Sequence, residues 1–151
     1  MTNPKRILVI CTGNSARSQM AEGFFRSLGT GKVSVASAGT HPSRVNPYAI
    51  RVMAEAGIDI STHTSKSVRQ FLGEPFDFVV TVCDRAREEC PYFPGAKRYV
   101  HHSFRDPADA IGTDAEILTV FRQVRDEIKA WVEDFLTNSL DSDEKDISVS
   151  L

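Results

Sequence analysis

The chain has 151 residues, 41% of them hydrophobic, and its 18 basic and 20 acidic side chains leave a formal net charge of −2. That is enough apolar sequence for one domain with a sizeable core, and the scattered basic residues argue against a nucleic-acid-binding protein. No apolar run approaches membrane-spanning length, and three dispersed cysteines are an odd number for a disulfide framework.

The first apolar run, Ile7–Ile10, is short and mostly β-branched, as in a buried strand. It breaks too soon, at Thr12–Gly13–Asn14, to be the core of a signal peptide, so the expected compartment is the cytosol. The run leads into Cys11, a small-residue loop, and then Arg17 and Ser18 at the start of a helix. Strand, loop and helix start form a geometry in which successive backbone N–H groups converge on an anion. A cysteine at the mouth of such a loop has its thiolate stabilised by those groups, by the helix dipole and by the guanidinium. Cys11 through Ser18 therefore reads as a nucleophilic thiolate facing a tetrahedral oxyanion. The alternative is a small buried cysteine ending a core strand, with a surface arginine six residues later.

Met20, Ala21, Phe24, Phe25 and Leu28 recur at helical spacing, so Arg17–Leu28 is expected to pack one face on the sheet, ending at Gly29 and Gly31. Lys32–Ala36 alternates as a second strand, and Ser37–Val45 reads as loop. Asn46 caps a helix that has Pro47 at its first position and stops at Gly57. A short helix is expected between Ser65 and Phe71. Asp77–Val82 has the composition of a central parallel strand and ends at Cys83. Asp84–Cys90 is polar and suits a weakly held helix, and Lys97–Val100 is a short edge strand. Asp106–Pro107 lies in the following loop. Thr113 and Glu116 make a capping box for a helix with Ile117, Val120, Phe121, Val124, Ile128, Trp131 and Phe135 on one stripe. Residues 137–151 lose this periodicity and are expected to form a disordered acidic tail after a domain of residues 1–136.

Alternating strands and helices define an α/β domain: a single open, mostly parallel four-stranded sheet with helices on both faces and a phosphate-binding loop after the first strand. Ligands in such folds bind outside the carboxyl ends of the strands. Cys11 and Cys83 end the first and third strands, so both thiols face one crevice if those strands are neighbours.

Cys11-Thr-Gly-Asn-Ser-Ala-Arg17-Ser18, Cys83-x6-Cys90 and Asp106–Pro107 together resemble the thioredoxin-recycled arsenate reductases of the low-molecular-weight tyrosine phosphatase superfamily. The similarity runs from about Lys5 to Phe135. The loop alone is a mark of the superfamily; the two further cysteines narrow it. The resemblance implies that the Cys11 thiolate attacks arsenate held by Thr12, Gly13, Asn14, Ser15, Ala16, Arg17 and Ser18, with Asp106 as general acid. Asn14 would sit in a left-handed conformation or brace the loop with its amide, and Ser18 would donate to the thiolate. The resemblance further implies a Cys11–Cys83 disulfide, then a Cys83–Cys90 disulfide reduced by thioredoxin. Seven residues of intact helix hold two cysteines too far apart for a disulfide, so the segment must partly unfold.

No bound cofactor, metal, nucleic acid or membrane is implied, and a monomer is expected. His63, His101 and His102 lack a ligand spacing and read as turn or surface residues. Some relatives hold potassium in a polar site matched here by Asn14, Glu22 and Ser37. Where those relatives carry an aspartate this chain has Lys66, whose ammonium would replace the cation.

Two other functions fit parts of the pattern. A phosphotyrosine phosphatase would leave Cys83 and Cys90 idle, and its usual second loop cysteine and aromatic wall are replaced here by Ala16 and Ala108. Weak phosphatase side activity remains compatible, because the first step is shared. A redox-sensing oxyanion-binding module would have no need of a general acid.

Overall fold

The computed structural model describes residues 3–140. β1 (Lys5–Cys11) pairs in parallel with β2 (Val33–Gly39) on one side and β3 (Phe76–Thr81) on the other, and β4 (Ala96–His101) extends the sheet beyond β3. The order is β2-β1-β3-β4 and every pair is parallel. With neighbours on both flanks and helices over both faces, Ile7, Leu8, Val9 and Ile10 have no exposed surface. This is why their run has no polar alternation.

The connection from β1 to β2 runs through α1 (Arg17–Leu28) and moves one way along the sheet. The connection from β3 to β4 runs through α3 (Asp84–Glu89) and moves the other way. Right-handed crossovers therefore put α1 and α3 on opposite faces, and the reversal opens a crevice at the carboxyl ends of β1 and β3. α4 (Asp114–Asn138) lies along α1, where the Phe135 ring meets Phe25 edge-on at 5.6 Å and Phe78 at 5.0 Å. α2 (Pro47–Glu55) packs on both, with Tyr48 on Phe121. Asn46 caps α2 through the Tyr48 N–H, and Gly57 leaves it at φ +81°, as their residue types require.

Several boundaries differ from the sequence reading. β2 continues through Ser37 and Ala38 to Gly39, where a loop is expected. These small residues are buried beside Val9, Ile10 and Cys11, so polarity and size no longer mark the strand. Leu28 points to solvent, whereas Ser18, Gln19 and Glu22 of α1 are buried. The segment before β3 is a 3-10 turn, Val68–Phe71. The buried stripe of α4 includes Leu118 and Val132, while Ile117, Val120 and Trp131 are half-buried. α4 runs to Asn138 and Leu140 is buried, so the expected break at residue 137 falls inside ordered structure. Residues 141–151, the rest of the expected tail, lie outside the described residues.

Candidate active site

The carbonyls of Cys11 to Ala16 all accept hydrogen bonds, four of them from the segment that walls the loop and two from α1. Thr40, His41, Ser43 and Asn46 donate their backbone N–H groups to Cys11, Thr12, Gly13 and Ser15 at 2.8–3.1 Å. Gln19 Nε2 donates to the Asn14 carbonyl, and Met20 N to Ala16. In a trans peptide the N–H points opposite the preceding carbonyl, so the amide edge of residues 12–17 is turned inward. Gly39 lets this wall close up: a Cβ there would lie 2.6 Å from the Thr12 carbonyl oxygen. The helix start carries Ala16 at its cap position and no capping side chain. The cavity so enclosed is about 260 Å³, with Cys11, Arg17, Ser43, Asp106 and Ala108 among its lining residues.

Asn14 serves both expected roles. Its φ is +48°, and its side chain ties three segments together. Nδ2 donates to Ser18 Oγ at 2.8 Å and to Ser37 Oγ at 2.9 Å, while Oδ1 accepts from Lys66 N. Ser18 Oγ accepts from Asn14 and lies 2.9 Å from Cys11 Sγ, where its own proton is available to a thiolate. Cys11 itself is buried at the end of β1. Arg17 reaches across the cavity, with NH1 on the Phe104 carbonyl at 3.1 Å and NH2 3.3 Å from Asp106 Oδ2. The other Asp106 oxygen accepts from Ala108 N, which fixes the carboxyl at the rim.

Beneath the loop, the Ser37 hydroxyl donates a hydrogen bond to Glu22 Oε1. Glu22 Oε2 pairs with Arg26 at 2.7 Å and lies 3.7 Å from His63 Nδ1. Both carboxylate oxygens are thus engaged by the chain itself. One positive charge facing Glu22 is the Arg26 guanidinium, four residues along the same helix. The Lys66 ammonium donates to the Thr64 carbonyl, and the Lys66 backbone N–H braces Asn14. Burial lowers the Lys66 ammonium from its ordinary pKa, with Glu22 opposing.

Cys83 follows β3 and precedes α3, and its Sγ lies 3.4 Å from Thr12 Oγ1, next to Cys11 in the chain. The two strands are neighbours, so the second thiol sits at the lip of the first one's loop. Cys90 ends α3, and its Sγ donates to the Pro91 carbonyl. Burial pushes the Cys90 thiol up to about 11, so it is protonated at neutral pH. His63 closes a turn on the Ile60 carbonyl and hydrogen-bonds Gln19 and Arg26, whereas His101 is not a surface residue but is buried, with its ring nitrogens on Thr81 and Asp84. His102 stacks on Trp131. Gln19, Arg26 and the wall from Thr40 to Ser43 carry no local signal of their roles, because each acts through contacts that exist only once the strands pair.

A doubly wound parallel sheet with a cysteine loop and arginine at its switch point defines a class of oxyanion-handling α/β proteins. Residues 6–146 match the model of the low molecular weight phosphotyrosine protein phosphatase family, and the chain belongs to that family. It is 48% identical, over 88% of its own length and 96% of the relative's, to an arsenate reductase of Halalkalibacterium halodurans. An arsenate reductase structure in the phosphate binding state superposes with a TM-score of 0.76 at 38% identity, covering 88% of this chain and 97% of that one. A low molecular weight protein tyrosine phosphatase from T. tengcongensis gives a TM-score of 0.70 at 25% identity, over 88% and 98%. Among the described residues no helix is long and apolar enough to cross a membrane.

Proposed function

We propose that the chain reduces arsenate to arsenite through three thiols, Cys11, Cys83 and Cys90, with thioredoxin as electron donor. The observation that carries the reading is the Cys83 thiol against Thr12, beside a cysteine loop built for an oxyanion. A phosphatase has no use for that second thiol, and the relatives at the higher identities are named as arsenate reductases.

Cys11 attacks arsenic as the thiolate, with the Ser18 hydroxyl directed at its sulfur. The inward amides of residues 12–17 and the Arg17 fork hold the remaining oxygens and stabilise the charge developing on them. An arsenate oxygen leaves as water on taking a proton from Asp106, giving a Cys11–arsenic(V) adduct. Cys83, as the thiolate, then attacks the Cys11 sulfur. The sulfur–arsenic bond breaks, its electron pair stays on arsenic, and arsenite departs as arsenic(III), leaving a Cys11–Cys83 disulfide. Cys90, having lost its proton, attacks Cys83, forming Cys83–Cys90 and releasing Cys11 as the thiolate. The final disulfide takes two electrons from the thioredoxin dithiol. α3 is six residues long with only Ala86 buried, which supports local melting as the means of bringing Cys90 to Cys83.

The test is arsenate-dependent NADPH oxidation with thioredoxin and thioredoxin reductase. Steady turnover is expected from the native chain and none from Cys11→Ser, Cys83→Ser or Cys90→Ser. Aryl-phosphate hydrolysis that survives loss of Cys83 and Cys90, with no arsenate turnover, would overturn the reading in favour of a phosphatase.

A further inference from the structure

The helix between Cys83 and Cys90 is fastened unequally at its two ends. At its start, Asp84 Oδ1 lies 3.0 Å from His101 Nε2, and the other ring nitrogen of His101 lies 2.7 Å from Thr81 Oγ1. Thr81 and His101 are register partners at the carboxyl ends of β3 and β4, and both are buried. A single imidazole therefore grips the chain two residues before Cys83 and one residue after it. The far end is held by Glu89, whose contacts with His41 and Arg85 are between exposed side chains. The partner at the start is a buried ring fixed at both nitrogens, whereas the partners of Glu89 are exposed side chains that hold it weakly. Beside that looser end lies a cavity of about 400 Å³, lined by Cys90, Val79, Tyr99, Val100 and His101 among others.

We propose that His101 is a positioning residue of the thiol relay: by bonding Thr81 and Asp84 together it pins Cys83 at the lip of the Cys11 loop, so that α3 peels from its Glu89 end and Cys90 travels to Cys83. The inference rests on the three-thiol reading above. The two thiol steps make opposite demands on this segment. Cys83 must be aimed at the Cys11 sulfur in the first, and residues 85–90 must move in the second. A hinge just after Asp84 meets both demands without moving Cys83. The His101 hydrogen bond is also the main cause holding the Asp84 carboxyl below its ordinary range, so the contact is made to a carboxylate at neutral pH.

The test isolates the first thiol step. In Cys90→Ser protein without reductant, the reaction stops at one arsenite and a Cys11–Cys83 disulfide. Adding Asp84→Ala removes the acceptor for His101 at a side chain that is 66% exposed, where folding is not at stake. Arsenite release in a single turnover is expected to slow by roughly tenfold or more, as misplacement of a reacting group does. Affinity for inorganic phosphate, measured by calorimetry, is expected to be unchanged. Asp84→Asn keeps an acceptor oxygen and is expected to stay within about twofold of the parent. A merely weaker helix would act the other way, sparing the first step and speeding Cys83–Cys90 exchange in protein that retains Cys90. Equal arsenite release with and without Asp84→Ala would overturn the clamp and leave the relay standing. No arsenite from the Cys90→Ser parent would overturn the relay itself, and the clamp with it.

Discussion

Cys11 and Cys90 are the same residue type in opposite surroundings. The first ends a strand under a loop whose amide edges and Ser18 hydroxyl face its sulfur. The second lies at the end of a short helix, where burial raises its thiol from an ordinary 9.0 to about 11. A folded-state value above the ordinary one means that the stability it contributes is intact below pH 9 and is lost as pH rises through 11. Opening of α3 is therefore eased only in that alkaline window. We expect alkylation of Cys90 by iodoacetamide at pH 8 to run roughly tenfold or more slower than in the urea-unfolded chain, and to rise steeply above pH 9. Equal rates at pH 8 would show the thiol open in the resting protein. At this scale the gathering of Cys11, Asn14, Arg17 and Ser18 around one loop is legible in the sequence because loop chemistry restricts which residue types fit each position. Arg26 and His101 are not, since an arginine on a helix and a histidine ending an edge strand acquire their partners only through packing.

Elements with strong local rules were readable in sequence. The Thr113–Glu116 capping box and the Asn46–Pro47 start of α2 are present as expected, because each is decided within four residues. The alternation that marks β2 stops three residues short of its end: the last residues are small and buried, and nothing local distinguishes them from a loop. Between elements, α2 and α4 are joined by Glu55, which takes hydrogen bonds from Arg122 and Arg125. Arg122 is the main cause drawing its carboxyl down from 4.5 to about 2. The sign is that of a depressed acid: the contribution is present above pH 4.5 and is lost as pH falls through 2. Glu55→Gln is expected to lower the urea midpoint modestly at pH 7, with the gap to the native chain closing as pH falls below 4.5 and as salt is added. A gap that persists at pH 2 would place its cause in packing instead.

For the whole molecule, topology converts a sequence pattern into a site. Reversal of the winding between the β1–β2 and β3–β4 connections sets Cys11 and Cys83 at adjacent strand ends, although 71 residues separate Thr12 from the Cys83 thiol that it touches. The alternation of strands and helices foretold the parallel sheet and the end at which it binds. The β3–β4 register that brings His101 opposite Thr81 had no counterpart in composition or spacing, and with it the fastening of α3 stayed out of view. The central claim is that three thiols act in sequence across this crevice. Its most direct test is to mix the fully reduced protein with arsenate, supply no reductant, and map its disulfides by mass spectrometry after acid quenching. The relay predicts one arsenite per chain, a Cys83–Cys90 disulfide and Cys11 as a free thiol. Three free thiols with no arsenite released would contradict it.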